Sequence, residues 1–489
     1  MASTDPKRPN ILFILSDDQG AWAMNCAGTS ELRSPNLDRL AATGIRFENF
    51  FCASPVCSPA RASILTGQIP SQHGVEDFLR AGNSTKLPGD GKTIEYLAGR
   101  TAYTKILADS GYECALSGKW HIGDSATPQC GFSFWEVHAT GAGNYYDAPM
   151  FRDGELYNAD GYVSDVITDN ALDYLESQRN SETPFSLNVH YTAPHAPWER
   201  HEHPAELYDD YYSNCAFESV RWDPLHPNQL AKQEYPQIGG TEEERRVVLS
   251  GYFAAIEAMD ANIGRLIDWL EANDLRENTL IVFTADNGMN MGHHGIWGKG
   301  NGTYPPNMFD TATKVPTLVS RPGHVPEGEV NSELLSHYDL MPTLLEYLGL
   351  SNPEAHSLPG SSFSRLLTGE SMGADRPVVV LDEYGPTRMI RTDAMKYVHR
   401  YQEGPNEFYD LEADPGETSN EIDNPAYQRS IDALRAQLQE WFNRYTEPER
   451  DGSTQAVMGR GQLDLVGGES EAFGQDLVYL NELEGQQAT

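Results

Sequence analysis

Residues 52–67 read CASPVCSPARASILTG, and within them Cys57-Ser58-Pro59-Ala60-Arg61 sets a thiol four residues before an arginine. Pro59 suits a first helical position, Ala60 to Leu65 can continue the turn and Gly67 can end it, so the spacing predicts a short helix opening beside Cys57. A side chain there faces the positive end of the helix dipole. Backbone N–H groups and Arg61 would both stabilise negative charge building up next to it. A cysteine phosphatase wants five residues between Cys and Arg, and here there are three. Most cysteines are small buried hydrophobes, so the pentapeptide acquires meaning only from the other chemistry-bearing residues of the chain.

Those residues stand where short apolar runs end. Asn10 to Leu15 is followed by Ser16-Asp17-Asp18, and Thr279 to Thr284 by Asp286-Asn287. Three carboxylates and an amide oxygen are hard ligands, suited to Ca²⁺ or Mg²⁺, and the chain has neither H-E-x-x-H nor a paired-cysteine zinc spacing. Glu113 to Ser117 leads into Gly118-Lys119-Trp120-His121, and Phe185 to Val189 leads through His190 to Pro194-His195-Ala196-Pro197. The metal-type loop continues as ADNGMNMGHHGIWGKG over 285–300, with His293, His294 and Lys299. Gly298-Lys299 is no phosphate-binding P-loop, because position 293 is His and Lys299 is followed by Gly300. Runs of this kind are how buried parallel strands deliver polar groups to a site at their carboxyl edge.

Cys-x-Pro-x-Arg running on to Thr66-Gly67, with Gly111 to Gly123 as a second signature, resembles the type I sulfatases over essentially residues 8–447. The resemblance implies an alkaline-phosphatase-like α/β sandwich: a large mixed, mostly parallel sheet between helices, and a smaller C-terminal antiparallel sheet plus helix. It implies that a maturation enzyme converts Cys57 to formylglycine. Asp17, Asp18, Asp286 and Asn287, with the oxygen of residue 57, would hold Ca²⁺, with Mg²⁺ as the alternative. Arg61 would support the nucleophile, and Lys119 and Lys299 would neutralise sulfate oxygens. His121 would take the proton of the second hydroxyl of the hydrated aldehyde, and His195 would protonate the leaving oxygen, with His294 a further substrate contact. In the implied reaction one hydroxyl attacks sulfur and releases the alcohol. Loss of the other hydroxyl's proton then expels sulfate. The expected substrate is a small-molecule or oligosaccharide sulfate ester. The rivals are a phosphonate monoester hydrolase or phosphodiesterase on the same scaffold, and a non-catalytic binding protein that retains the fold.

Around these motifs the chain reads as a catalytic domain over 8–370, a C-terminal subdomain over 371–450 and an acidic, Gly/Gln-rich tail over 451–489 that would be ordered only by packing back. Thr241 and Glu244 form a capping box ahead of a helical stripe, Ile256, Met259, Ile263, Leu266, Ile267 and Leu270. Residues 78–92, 144–157 and 201–235 are left to shape the outer pocket. The formal charge of -37 excludes nucleic acid or an anionic membrane as a partner held by gross charge. An anionic substrate must therefore meet local cations, and Lys119 and Lys299 are two of only nine lysines. Six cysteines in 489 residues are too sparse for a disulfide scaffold. No apolar run reaches the roughly 18 residues of a membrane span. Met1 to Pro9 lacks the order of a secretory signal, which reads as cytoplasmic, or as periplasmic or secreted if a leader has been removed.

Overall fold

The computed structural model describes residues 8–83, 92–230, 238–373, 376–382, 386–401, 404–454, 461–467 and 472–473. Residues 84–91 and 231–235, within two of the stretches expected to shape the pocket, lie outside them, as do residues 236–237 and most of the tail.

Every residue of the first strand is buried, with Ile11, Phe13 and Leu15 in one hydrophobic core and Leu12 and Ile14 in another. A strand apolar on both faces needs a layer of structure on each side. The sheet built on it has ten strands: β1 (Asn10–Ser16), β2 (Ile45–Phe47), β3 (Glu113–Lys119), β4 (Phe134–His138), β5 (Pro149–Arg152), β6 (Glu155–Asn158), β7 (Phe185–His190), β8 (Thr279–Ala285), β9 (Thr317–Ser320) and β10 (Glu329–Asn331). Their spatial order is β10-β2-β9-β8-β1-β7-β3-β4-β5-β6. The central five, β8-β1-β7-β3-β4, are parallel. Antiparallel pairs extend the sheet on both sides.

One face is covered by α1 (Cys57–Thr66) and α4 (Leu340–Tyr347), whose Ala62, Ile64, Leu65, Leu344 and Leu345 join the core of Ile11 and Phe13. The other is covered by α2 (Val163–Gln178) and α3 (Glu242–Ala272), with Ile167, Met259, Ile263, Leu266 and Leu270 against Leu12 and Ile14. The α3 capping box forms as the sequence predicts: Glu244 N–H donates to Thr241 Oγ1 at 3.2 Å, and Thr241 N–H to Glu244 Oε2 at 2.9 Å. Helix α1 begins at Cys57 rather than at Pro59. The first N–H to enter its ladder is that of Ala60, to Val56 O at 3.1 Å, so Pro59 has no bond to lose there. Gly67 ends the helix at φ 67°.

Four antiparallel strands, β11 (Val378–Asp382), β12 (Thr387–Arg391), β13 (Met395–Arg400) and β14 (Glu407–Asp410), make the second sheet, and α5 (Gln428–Tyr445) covers it. Val379 and Leu381 face Leu434 and Leu438 of α5, while Val378 and Val380 enter the main core, so alternate residues of one strand bond the two parts together. Polar groups reinforce the join. The Lys396 ammonium on β13, fully buried, reaches Met308 O at 2.9 Å, Asp310 Oδ1 at 2.5 Å and the carboxylate of Glu417. Burial opposes ionisation of Asp310, yet Lys396, Lys314 and Arg391 hold its pKa well below the usual range.

Removing one partner of a buried ionic group leaves the others uncompensated. Lys396→Met is therefore expected to lower the free energy of unfolding by about 3–5 kcal/mol in a denaturant titration. A loss below about 1 kcal/mol, the range of a surface pair, would show that this join does not depend on the buried charge.

Candidate active site

The registers of the central strands fix where their ends lie. Ser16 pairs with Ala285 and Leu15 with His190, while Gly118 pairs with His190 on the other side of β7. The residues immediately beyond, Asp17, Asp286 and Lys119, consequently emerge at one edge. Gly118 is required for this approach. At φ 109° it lies so close to β7 that an added Cβ would stand 1.9 Å from His190 O.

At that edge three buried carboxylates each meet a buried cation. Asp17 is bonded to the Lys119 ammonium. Asp18 Oδ1 accepts from Lys299 Nζ at 2.5 Å, and Asp286 Oδ2 from Arg61 Nε at 2.9 Å. Asp18 N–H donates to Asp286 Oδ1 at 3.1 Å, and Asn287 Nδ2 donates to Asp18 Oδ1 at 2.8 Å. One oxygen from each of Asp17, Asp18 and Asp286 falls within 4.8 Å of the others. Burial and the neighbouring Asp286 push the Asp17 pKa up, while burial is outweighed at Asp18 by Lys299 and His195 and at Asp286 by Arg61 and the two lysines, so those two go down.

Cys57 opens α1 in the midst of this cluster, 4% exposed, with Lys299 Nζ 3.7 Å from its sulfur. Burial pushes the thiol pKa up, further than Lys119 and Lys299 bring it down, so an unmodified cysteine is a weak nucleophile here. His195 Nε2 stands 3.6 Å from Asp18 Oδ2, and its Nδ1 donates to Ala196 O at 2.7 Å. Burial brings its pKa down to about 4 against the opposing pull of Asp18. His121, its pKa lowered well below the usual value by burial and by Lys119, sets Nε2 3.3 Å from Leu79 O.

A cavity of about 720 Å³ opens onto Cys57, His121, His195 and Lys299. Its outer wall is formed by Phe78, Leu79, Arg80, Asn83, residues 140–144, Ala196, Pro197 and Asn301. Of the stretches expected to shape the pocket, the first two thus contribute, and the described residues 201–230 do not. His294 corrects the sequence reading: it is absent from the cavity wall, and its ring stacks on Phe309 at 3.8 Å and 7° while its N–H donates to Asp223 at 2.9 Å. A φ of 56° turns the chain at His294, and apolar stacking then claims the ring. His293 packs on Trp22 with its ring tilted, centroids 4.7 Å apart at 46°.

Several supporting contacts, one of them made by Arg61 of the signature itself, carry no signal in the sequence. Arg61 Nη1 donates to Lys119 O at 3.0 Å, and His190 Nδ1 lies 3.2 Å from the same carbonyl. Asn307 Nδ2 donates to Lys299 O at 2.9 Å. Tyr252 of α3 donates to Asp18 O at 3.0 Å and accepts from Gly20 N at 3.2 Å. Each acts through a backbone carbonyl or amide, which any residue type presents.

The residues present fit a divalent cation. Asp17 Oδ1 and Asn287 Oδ1 are buried with no hydrogen-bond partner among the described residues, a costly arrangement unless another group takes up the lone pairs. Together with Asp18 and Asp286 they offer oxygen donors only, the set preferred by calcium or magnesium.

The chain is similar to known sulfatases. Residues 9–350 match the family model described as Sulfatase, and residues 292–444 match that of the N-sulphoglucosamine sulphohydrolase C-terminal region. An N-acetylglucosamine-6-O-sulfatase of Bacteroides thetaiotaomicron is 28% identical over 94% of this chain and 91% of its own. An ulvan-active sulfatase of Formosa agariphila is 30% identical over 89% of this chain and 81% of its own. A solved structure described as a complex with its substrate D-glucosamine-2-N,6-O-disulfate aligns with a TM-score of 0.73 and 27% identity, covering 92% of this chain and 100% of that one.

Proposed function

The chain belongs to the sulfatase family, and from that we propose that it hydrolyses a sulfate monoester on a carbohydrate, with formylglycine at residue 57 and calcium among Asp17, Asp18, Asp286 and Asn287. It is an enzyme of the sulfuric ester hydrolase class and has the alkaline-phosphatase-like fold. The observation that carries the proposal is the position of Cys57, at the opening of a buried helix, beside Lys299, which itself bonds Asp18 of the carboxylate cluster, and facing a cavity that could admit a sugar. The sugar preference is supported by the two carbohydrate-directed relatives and by the glucosamine disulfate complex.

When bound, the cation supplies a positive charge that polarises a sulfate oxygen and favours the ionised form of the nucleophile. An aldehyde at 57, once hydrated, offers two hydroxyls on one carbon, so that sulfate can leave by C–O cleavage without water attacking sulfur a second time. The chain's own residues do the rest. Lys299, on the cavity wall, neutralises sulfate oxygens, and the buried Lys119 and the helix α1 dipole add to its field. His121 sets Nε2 against Leu79 O, which leaves Nδ1 as the nitrogen that would accept a proton. His195 donates through Nδ1 to Ala196 O, which leaves Nε2 to carry a proton toward the departing oxygen. An anionic ester in the cavity adds negative charge beside that ring and raises its affinity for the proton.

Peptide mass analysis of active enzyme is expected to find formylglycine at 57; full activity with only cysteine there would overturn the assignment. Such enzyme should turn over a sulfate ester faster than the matching phosphonate ester. Asp18→Asn removes ligand charge, so calcium affinity of chelator-treated protein, titrated calorimetrically, should fall about tenfold or more. Undiminished turnover by metal-stripped enzyme would contradict the metal site. A sugar alkoxide needs its proton early, whereas nitrophenolate departs nearly unaided. His195→Ala should therefore lower kcat/KM by about 10²–10⁴ on a sulfated sugar and by less than about tenfold on nitrophenyl sulfate. Equal losses on both substrates would mean that His195 grips sulfate and does not act as the acid.

A further inference from the structure

We propose that residues 461–467 form a strap that fixes the substrate-facing wall of the cavity, with Gln462 as its positioning residue. The two family models end at residue 350 and residue 444, so the strap lies outside both of them. It nevertheless returns to the active site. Gln462 is fully buried, and it forms a parallel bridge with Leu79, a residue of the cavity wall.

All the hydrogen-bonding groups of Gln462 are engaged there. Its N–H donates to Phe78 O at 2.8 Å, and its carbonyl accepts from Arg80 N at 3.0 Å. Its side-chain Oε1 accepts from Glu76 N at 2.9 Å, while Nε2 donates to Gly74 O and to Asp464 O, both at 2.9 Å. Gly461 N–H adds a bond to the buried carboxylate of Asp77 at 2.9 Å. The stretch these bonds hold follows a short helix that ends at His73, and the residues 74–80 belong to no helix and no strand. A loop of that kind has no ladder of its own, so its position depends on what its backbone groups can bond to. On its far side Leu79 N–H donates to Ser58 Oγ at 3.2 Å, next to Cys57, and Leu79 O meets His121. The wall is thus clamped between α1 and the strap.

The wall faces the alcohol half of a substrate, because Cys57 and Lys299 occupy the end where the sulfate must sit. Losing the strap should accordingly loosen the grip on a large alcohol more than it disturbs the sulfate-handling groups. This kinetic consequence rests on the carbohydrate sulfate reading, whereas the positioning itself does not.

Gln462→Glu tests it without changing side-chain shape. One oxygen still accepts from Glu76 N–H, but the other is set against the carbonyls of Gly74 and Asp464. Hydrogen exchange on the full-length enzyme should show the amides of residues 76–80 exchanging about tenfold faster or more, with the amides of α3 unchanged. KM for a sulfated sugar should rise about tenfold, with kcat and the kinetics on nitrophenyl sulfate altered less than about twofold. A chain ending at Thr454 should show both effects more strongly. Unchanged exchange at 76–80 in both variants would overturn the strap whatever the substrate proves to be. Faster exchange with an unaltered KM, or equal losses on both esters, would overturn its role in substrate binding while leaving the sulfatase reading intact.

Discussion

Three carboxylates and three cations sealed away from water at the carboxyl ends of parallel strands are the constraint on which the rest of this structure depends. Each charge alone would be costly to bury, and each is tolerated only because a partner from another element meets it. The Asp17–Lys119 contact ties β1 to β3, Asp18–Lys299 ties the turn after β1 to the loop after β8, and Asp286–Arg61 ties β8 to α1. Breaking any one contact exposes the others to a like charge within a few ångströms. The cluster therefore holds α1, and with it Cys57, in a single place, and the same atoms that fix the position of the nucleophile form the hard-oxygen site for the cation.

This arrangement also explains how a chain of formal charge -37 can handle an anion. The surface field is screened beyond about 10 Å in ordinary salt, whereas buried charges act in a medium that screens them little. Scarce lysines are spent accordingly: Lys119 and Lys299 lie in the site, and Lys314 and Lys396 surround Asp310, where the second sheet joins the first. The lysines of the second pair govern assembly. They secure the segment from Met308 to Asp310, directly after Asn307, whose side chain holds the carbonyl of Lys299. The C-terminal sheet thereby supports a cation of the active site that it does not touch.

Four of the five central strands, β1, β3, β7 and β8, were legible because a strand buried on both faces has to be apolar throughout, and the polar residues at its end stand out against that run. The capping box of α3 was legible because its signal is local. By contrast β4 to β6 were not anticipated: β4 mixes Glu136 and His138 into its sequence, and the exposed β6 is four residues long with polar residues at both ends. The site residues came into view from motifs, yet their pairings could not, since Asp18 with Lys299 or Asp286 with Arg61 are contacts across more than two hundred residues. His294 shows the reverse error. Its neighbourhood reads as chemistry, and a stacking partner fifteen residues further on decides the matter.

Backbone strain gives the last link between fold and site. Asp18 and His121 both sit at positive φ, 62° and 56°, where a residue with a Cβ is disfavoured by about 1 kcal/mol or more. Such a conformation persists only where the surroundings over-determine it. Asp18 donates its N–H to Asp286, accepts from Tyr252 at its carbonyl, and receives Lys299 and Asn287 on its carboxylate, so an extended backbone there would forfeit several buried bonds at once. Tyr252 can reach Asp18 only because α3 is long, capped and packed along the sheet. The stripe of apolar residues that reads as mere core packing thus holds a metal-site carboxylate in a conformation it would not otherwise adopt.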